Sequence, residues 1–342
     1  MSARLPRPTR PRTGHVSPQP APRRRAFADE SDAVDLGAHE HYRDAALYDF
    51  EYRRRRADVR WYVALAARLV DGPARILELG AGTGRVTLPL ARAGHHVTAL
   101  DHEPAMLAAL DERRRRAPAA VAARITPVAG DLRDFDLGRR FDLVIAAFNV
   151  VEHLYTRVEV DACLRAVRRH LRPDGHLAFD VQLPDPAWLA RDASRRWART
   201  RFTHPVTGET LWYSTNHDYD PVSQIVVIRL YYTPDSGPVT RARGPDRTDD
   251  RGHPVPAGPS AQRARARPAG SRGRERVVVL SQRKFFPAEL EGLVAHAGLR
   301  MVERHGDFDG APLGPGADSQ VLICRAASAV RRVSGLVRRP KP

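Results

Sequence analysis

The sequence predicts a doubly wound α/β fold carrying an antiparallel β insertion, on three observations. Between residues 75 and 181, short apolar runs alternate with helical stretches. Such alternation implies parallel strands joined by right-handed crossovers. The first run leads straight into alternate glycines, "LELGAGTGR", a turn that lets the backbone approach a ligand closely. After Val181 the rhythm changes to residue-by-residue alternation broken by turns, which reads as antiparallel strands.

In chain order, residues 1–27 are rich in Pro, Arg and Ser and cannot bury enough to fold. Residues 44–69, "DAALYDFEYRRRRADVRWYVALAARL", read as a helix with Tyr48, Tyr52, Val59, Tyr62, Val63 and Leu69 on one stripe. Strands are expected at 75–79, 96–100, 125–128, 141–148 and 176–181. Helices are expected at 85–93, 105–116 and 159–170. "RPDG" at 172–175 is a helix stop and turn. The stretches "WARTRFTHP", "ETLWYSTNHDYD" and "QIVVIRLYYT" then form the insertion, with "RVVVLSQRKF" as its returning strand. Between the last two lie residues 234–275, dominated by Gly, Pro, Arg, Ser and Asp, which read as a disordered excursion within a hairpin. "FPAELEGLVAHAG" places Pro287 at a helix start and Gly298 at its stop. "LRMVERHGDF" and "SQVLICRA" close the fold. The organisation is therefore a basic tail (1–27), a cofactor-binding half with N-terminal helices (28–182), a β insertion acting as a lid (183–284), a closing helix and strands (285–326), and a second basic tail (327–342).

The chain has 342 residues and a formal net charge of +16. Residues 1–26, 236–276 and 325–342 carry +7, +6 and +6, so the remainder is slightly acidic. A basic surface shaped by phosphate would use both cations, yet Lys284 and Lys341 are the only lysines. The arginines therefore speak of coding bias, and a nucleic-acid partner is not expected. Cys163 and Cys324 lie in core elements outside any CxxC pair, which suits buried thiols in a reducing compartment. No apolar run approaches a membrane span, and acidic "AFADESDAVD" stands where a signal peptide would be apolar. A cytoplasmic protein is expected.

Four stretches carry chemistry. In the first, the spacing is G-x-G-x-G, whereas a dinucleotide fingerprint needs G-x-G-x-x-G, and Arg85 stands at the third position after Gly82. Glu78, two residues before Gly80, suits a ligand with an ammonium group and would repel a pyrophosphate. In the second, Asp101 ends a strand about twenty residues beyond the first glycine, where an acid accepts from ribose hydroxyls or caps the helix opened by Pro104. In the third, "VAGDLRDFDL" places Asp131 at the same sheet edge, within reach of an adenine amino group. In the fourth, "FDLVIAAFNVVEHL" delivers Phe148, Asn149, Val150, Glu152 and His153 there.

This series, with "LDHEPAML" and "LRPDGHLAFDV", resembles the class I S-adenosylmethionine-dependent methyltransferases, and within them the small-molecule type. The resemblance implies a Rossmann-like seven-stranded sheet whose last strand is antiparallel. It implies S-adenosylmethionine as methyl donor, with no metal. Glu78, Gly80, Ala81, Gly82 and Gly84 would face its methionine part, Asp101 the ribose, and Met106, Asp131 and Leu132 the adenine, with His102 beside them. Phe148 and Asn149 would flank the methyl. In sugar-amine and glycine N-methyltransferases N-terminal tyrosines cover the cofactor, which makes Tyr48 and Tyr52 the candidates here.

The activity so implied is methyl transfer to a nitrogen or oxygen of a small-molecule acceptor, by in-line displacement. The acceptor's proton needs a base; His153, His204 and His217 are candidates, with Asp218 or Glu209 as orienting partners. Trp212, Tyr213, Tyr219, Tyr231 and Tyr232 crowd the insertion and would wall an acceptor pocket or form the insertion's own core. Asp307 and Asp309, in "GDFDG", would touch substrate or only turn the chain. Rival readings are an RNA or protein methyltransferase docked by its tails, a nicotinamide-dependent oxidoreductase, and a non-catalytic S-adenosylmethionine binder. The oligomeric state is left open.

Overall fold

The computed structural model describes residues 30–235 and 274–327. The basic tails and most of the excursion lie outside the described residues. Two sheets are formed by those that are described. The larger contains β1 (Arg75–Leu79), β2 (His96–Asp101), β3 (Ile125–Ala129), β4 (Phe141–Ala146), β5 (Leu171–Gln182), β10 (Leu299–His305) and β11 (Ser319–Ala326) in the order β10-β11-β5-β4-β1-β2-β3. Strands β1 to β5 pair in parallel, while β11 runs antiparallel to both its neighbours. The order reverses between β1 and β4, and an open α/β sheet binds its ligand in the crevice at the carboxyl end of that point.

Helices cover both faces, because a sheet buried on both sides needs two apolar layers. On one face α3 (Ala57–Leu69) and α4 (Thr87–Arg92) seat Tyr62, Leu65, Ala66 and Leu90 against Ile76, Val97, Leu143 and Ile145. On the other, α7 (Arg157–His170) and α9 (Pro287–His296) pack Val160, Leu164, Leu290 and Val294 against Leu77, Val144 and Phe179. Helix α5 (Pro104–Arg116) opens on a proline and ends on four arginines, in keeping with its dipole. A short α6 (Ala119–Ala122) precedes β3. A capping box starts α7: Thr156 Oγ1 accepts from Glu159 N at 3.2 Å, and Glu159 Oε2 accepts from Thr156 N at 2.8 Å.

The smaller sheet is antiparallel, in the order β6 (Trp197–Thr203), β7 (Thr210–Asp220), β8 (Ile225–Pro234), β9 (Arg276–Arg283). A one-turn helix, α8 (Pro186–Leu189), leads into it. Its apolar face packs Phe202, Leu211, Leu230, Tyr232 and Val278 on Leu47 and Phe50 of α2 (Ala45–Tyr52).

Four differences from the sequence reading have physical causes. The single helix expected over 44–69 is two, α2 and α3, parted at Arg53–Arg56. The two pieces serve different cores, the lid and the main sheet. An extra helix, α1 (Glu30–His39), lies on β9, where Gly37 makes room: a Cβ there would fall 2.6 Å from Ser281 N. "RPDG" falls inside β5 as a bulge, the register passing from Phe141↔Leu171 to Leu143↔His176. The excursion's edges are ordered, since Pro234 ends β8 and Arg196 makes two 2.8 Å bonds to Glu275.

Candidate active site

The site is built at the carboxyl edge of β1, β2, β4 and β5. Gly80, Gly82 and Gly84 all take positive φ (61°, 55° and 83°), which L residues avoid. At Gly80 a Cβ would strike Val150 at 2.5 Å, and at Gly84 Leu110 at 2.4 Å, whereas at Gly82 it would meet nothing within 4 Å. Packing thus fixes the outer two, and the middle one borders open space. Helix α4 begins only at Thr87, two residues later than expected, with turns between. Those turns are tied down from above: Thr83 Oγ1 donates to Asp49 of α2 at 2.6 Å, and Arg113 of α5 binds both Asp49 and the Thr83 carbonyl. Arg85 pairs with Asp58 of α3 at 2.6 Å and lies 4.5 Å over the Phe148 ring. Glu78 is buried and accepts from Thr87 Oγ1 at 2.5 Å. Burial pushes its carboxyl up to about 8.

Asp101 ends β2, almost fully buried. Its Oδ2 accepts from Gly82 N at 2.7 Å and its Oδ1 from Glu103 N at 2.8 Å. It therefore links the glycine loop to the turn before α5, whose cap residue is Glu103 and not Asp101 as the helix-cap alternative had it. Burial raises its carboxyl despite these donors. Met106 and Leu132 are buried nearby in the fold's apolar interior. Asp131, past β3, is gripped by Arg133 at 2.6 Å, which also reaches Glu159 at 2.9 Å. Arg133 N, Nε and Nη2 place four bonds on the two Asp131 oxygens, so all four acceptor positions of the carboxylate are engaged by Arg133.

Strand β4 ends at Ala146, short of the expected 148, because Phe148 and Asn149 turn left-handed, with φ of 68° and 62°. Asp180 of β5, buried, holds that turn. Its Oδ1 accepts from Phe148 N at 2.8 Å and from Tyr62 Oη at 2.7 Å, and its Oδ2 from Asn149 N at 3.1 Å. Neither Asp180 nor Tyr62 was marked as a site residue by the sequence reading. Asp180 was visible only as the polar residue of an apolar strand, "LAFDV".

Above the turn stands an aromatic cluster. Tyr52 meets Phe148 edge-on at 4.8 Å between ring centroids, Tyr48 lies 4.7 Å from Tyr52, and Tyr42 and His41 complete the group. Tyr42, Tyr48, Tyr52, Phe148 and His153 are all partly exposed, so the cluster borders a cleft rather than filling a core. Tyr42 was missed; its signal was the run of aromatics that continues upstream of Tyr48.

His153 sits in a directed chain of hydrogen bonds. Ser281 Oγ donates to the Val34 carbonyl at 2.7 Å, so Tyr155 Oη must donate to Ser281, at 2.7 Å. Tyr155 oxygen then accepts from His153 Nδ1 at 3.2 Å, which leaves His153 Nε2 to accept from Tyr42 Oη at 2.6 Å. The tautomer follows from the donor count. Burial drives His153 down to about 3 and His41 to about 4, so both rings are neutral near pH 7.

The other two candidate histidines are held elsewhere. His204 Nδ1 accepts from Val206 N and Thr207 N at 3.3 Å, and its Nε2 meets Asp44, the cap of α2, at 3.2 Å. It closes the β6–β7 turn. His217 stacks on Trp188 at 3.9 Å and donates Nε2 to the Trp188 carbonyl at 2.8 Å. Asp218 pairs with Arg229, not with His217. Of the five lid aromatics, Tyr232 lines a cavity of about 570 Å³ with His41, Tyr48, Arg43, Asp44 and Arg276. Tyr213 packs with it in the lid core, Tyr231 lies under Arg196, and Trp212 bonds Asp235. Asp309 caps the backbone of its own turn.

A family model described as a methyltransferase domain matches residues 76–175. The dTDP-3-amino-3,6-dideoxy-alpha-D-glucopyranose N,N-dimethyltransferase of Streptomyces fradiae is 36% identical over 152 residues, 42% of this chain and 53% of that protein. The dTDP-3-amino-3,4,6-trideoxy-alpha-D-glucopyranose N,N-dimethyltransferase of Streptomyces venezuelae is 30% identical over 176 residues, 47% of this chain and 69% of the relative. Among solved structures, the CcbJ methyltransferase of Streptomyces caelestis superposes with a TM-score of 0.62 at 25% identity, covering 85% of this chain and 99% of its own. The chain belongs to the S-adenosylmethionine-dependent methyltransferase family. It spans about half the length of the Streptomyces fradiae relative. Among the described residues, no helix is long and apolar enough to cross a membrane.

Proposed function

We propose that the chain transfers a methyl group from S-adenosylmethionine to an amine nitrogen of a small-molecule acceptor. The carrying observation is the Tyr42–His153 pair at the edge of the aromatic cleft. S-adenosylmethionine would supply a methyl on a sulfonium, and in-line displacement of it needs alignment and exclusion of water rather than a metal. Gly82, whose α-carbon borders open space, supports a ligand against the loop. In this reading Glu78 and the Gly80–Gly84 loop, Ala81 included, hold the methionine end. Asp101 holds the ribose, and Met106, Asp131 and Leu132 surround the adenine. Phe148, Asn149, Tyr48 and Tyr52 wall the methyl.

The nitrogen is favoured over a hydroxyl on acid–base grounds. A hydroxyl must lose its proton to become a nucleophile, while a neutral amine attacks with its lone pair. His153 Nε2 already accepts the Tyr42 proton at 2.6 Å, so its lone pair is not open to a substrate hydroxyl. It is a good orienter: with the Tyr42 proton committed to Nε2, the Tyr42 oxygen is free to accept an N–H and aim the nitrogen at the methyl. His204 and His217, engaged in the lid, are not needed as bases. The names of both Streptomyces relatives describe methylation of amino sugars, which agrees with an amine acceptor.

The test is methyl transfer to amino sugars and to the same sugars with hydroxyl in place of the amine. The amine is expected to react at least about a hundredfold faster. Tyr42→Phe should lower kcat about tenfold to a hundredfold while leaving S-adenosylmethionine affinity unchanged. Equal rates for both sugars, or full turnover by Tyr42→Phe, would sink the proposal.

A further inference from the structure

We propose that His39, His102 and Glu103 form a binding site for a divalent cation of the zinc class, which ties α1 to the turn after β2. The three residues come from two separate segments and stand outside the hydrogen-bond chains of the cleft. His39 ends α1, and its Nδ1 lies 3.3 Å from His102 Nε2 and 3.5 Å from Glu103 Oε2. All three ligand atoms lie within 4.8 Å of one another.

The two distances from His39 Nδ1 are those of neighbouring ligands on one ion, and the third pair lies within 4.8 Å. With bonds of about 2.0–2.1 Å, neighbouring ligand atoms of a tetrahedral zinc lie about 3.3–3.5 Å apart. Two imidazoles and one carboxylate are a donor set that suits zinc, cobalt or nickel and is too poor in oxygen for calcium or magnesium. Three protein ligands leave the fourth position to water. Glu103 is largely buried and His39 about half exposed, at 12% and 45% of their side-chain surfaces. An ion therefore has access from solvent to a partly fixed carboxylate.

The position gives the site its meaning. His102 and Glu103 directly follow Asp101, while α1 packs on lid strand β9, its Val34 carbonyl accepting from Ser281. A bound ion would thus clamp the lid assembly to the sheet beside Asp101. Its role is structural, and the displacement chemistry does not pass through it.

The tag-free full chain should be titrated with Zn²⁺ against a chromophoric chelator, alongside His39→Ala and His102→Ala. The expected result is one more zinc equivalent in the wild type than in either variant, with affinity at that site lowered at least about a hundredfold. Zn²⁺ should raise the Tm of the wild type and leave that of the variants unmoved. Co²⁺ in place of Zn²⁺ should give the wild type alone the visible bands of a tetrahedral centre. Melting without metal checks that the variants fold, which they should, since His39 and His102 are surface residues. The same zinc stoichiometry in wild type and variants, or no Tm response in the wild type, overturns the proposal.

Discussion

Lys284→Met is expected to destabilise the protein by about 3–5 kcal/mol, as loss of one partner of a buried ion pair does. Lys284 and Glu152 are buried to within 1% of their side-chain surfaces, with Nζ 2.7 Å from Glu152 Oε2. The ammonium's other two protons go to Gln182 Oε1 at 2.8 Å and Gln282 Oε1 at 3.1 Å, and Glu152 Oε1 accepts from Gln182 N at 2.7 Å. Three donors thus meet three acceptors. A compact ammonium fits this arrangement and a planar guanidinium does not, which accounts for one of the two lysines in a chain whose other cations are arginines. The network joins the end of β9, the end of β5 and the turn carrying His153. Methionine at 284 would strand a buried carboxylate. Adding Glu152→Met should recover part of the loss, because it removes the stranded carboxylate while leaving Gln182 N without its acceptor. Chemical denaturation of the single and double variants measures both effects. A cost below about 1 kcal/mol for Lys284→Met would contradict this reading of the network.

Asp180→Asn is expected to cost about 2–4 kcal/mol and to reduce turnover more than the loss of folded protein explains. An amide keeps one acceptor oxygen and turns an NH₂ toward a donor, so one of Phe148 N and Asn149 N loses its partner, at about 1–3 kcal/mol. Two consecutive left-handed residues store about 1–2 kcal/mol each, and Asp180 is what holds them. Freed, the turn would relax and carry Phe148 away from the cleft. Asn149→Gly should then restore about 1 kcal/mol in the Asp180→Asn background, because glycine takes positive φ at little cost. If glycine at 149 restores nothing there, strain at the turn is not what Asp180 opposes.

Much of the fold was legible because it rests on local signals. The expected 75–79 matches β1 residue for residue, and β2, β3 and α5 differ by a residue at one end. Hydrophobic period and Gly/Pro punctuation are properties of neighbours in sequence. Register, charge pairing and hydrogen-bond direction are not. Lys284 and Glu152 lie 132 residues apart, and Tyr42 and His153 lie 111 apart. No pattern in one sequence joins such pairs. The histidines show the same limit: His153, His204 and His217 look alike as residues. Only packing separates the one beside the cleft from those that tie down a turn and a tryptophan.

The central claim is that the edge around Gly82 and Glu78 holds S-adenosylmethionine, and calorimetry tests it most directly. Burial raises Glu78 to about 8, above its unfolded value of about 4.3, so the carboxyl is protonated in the free protein near pH 6.5. The sign follows: its stabilising effect is full below about pH 4.3 and is lost as pH climbs toward 8. An ammonium beside it favours the carboxylate, so binding should release a proton, and affinity should rise between about pH 5 and 7. Titration at pH 6.5 in two buffers of different ionisation heat should show S-adenosylmethionine binding with release of about one proton. Glu78→Gln should release none, and NAD should give no heat. Binding of NAD without S-adenosylmethionine, or equal proton release by wild type and Glu78→Gln, would contradict the account.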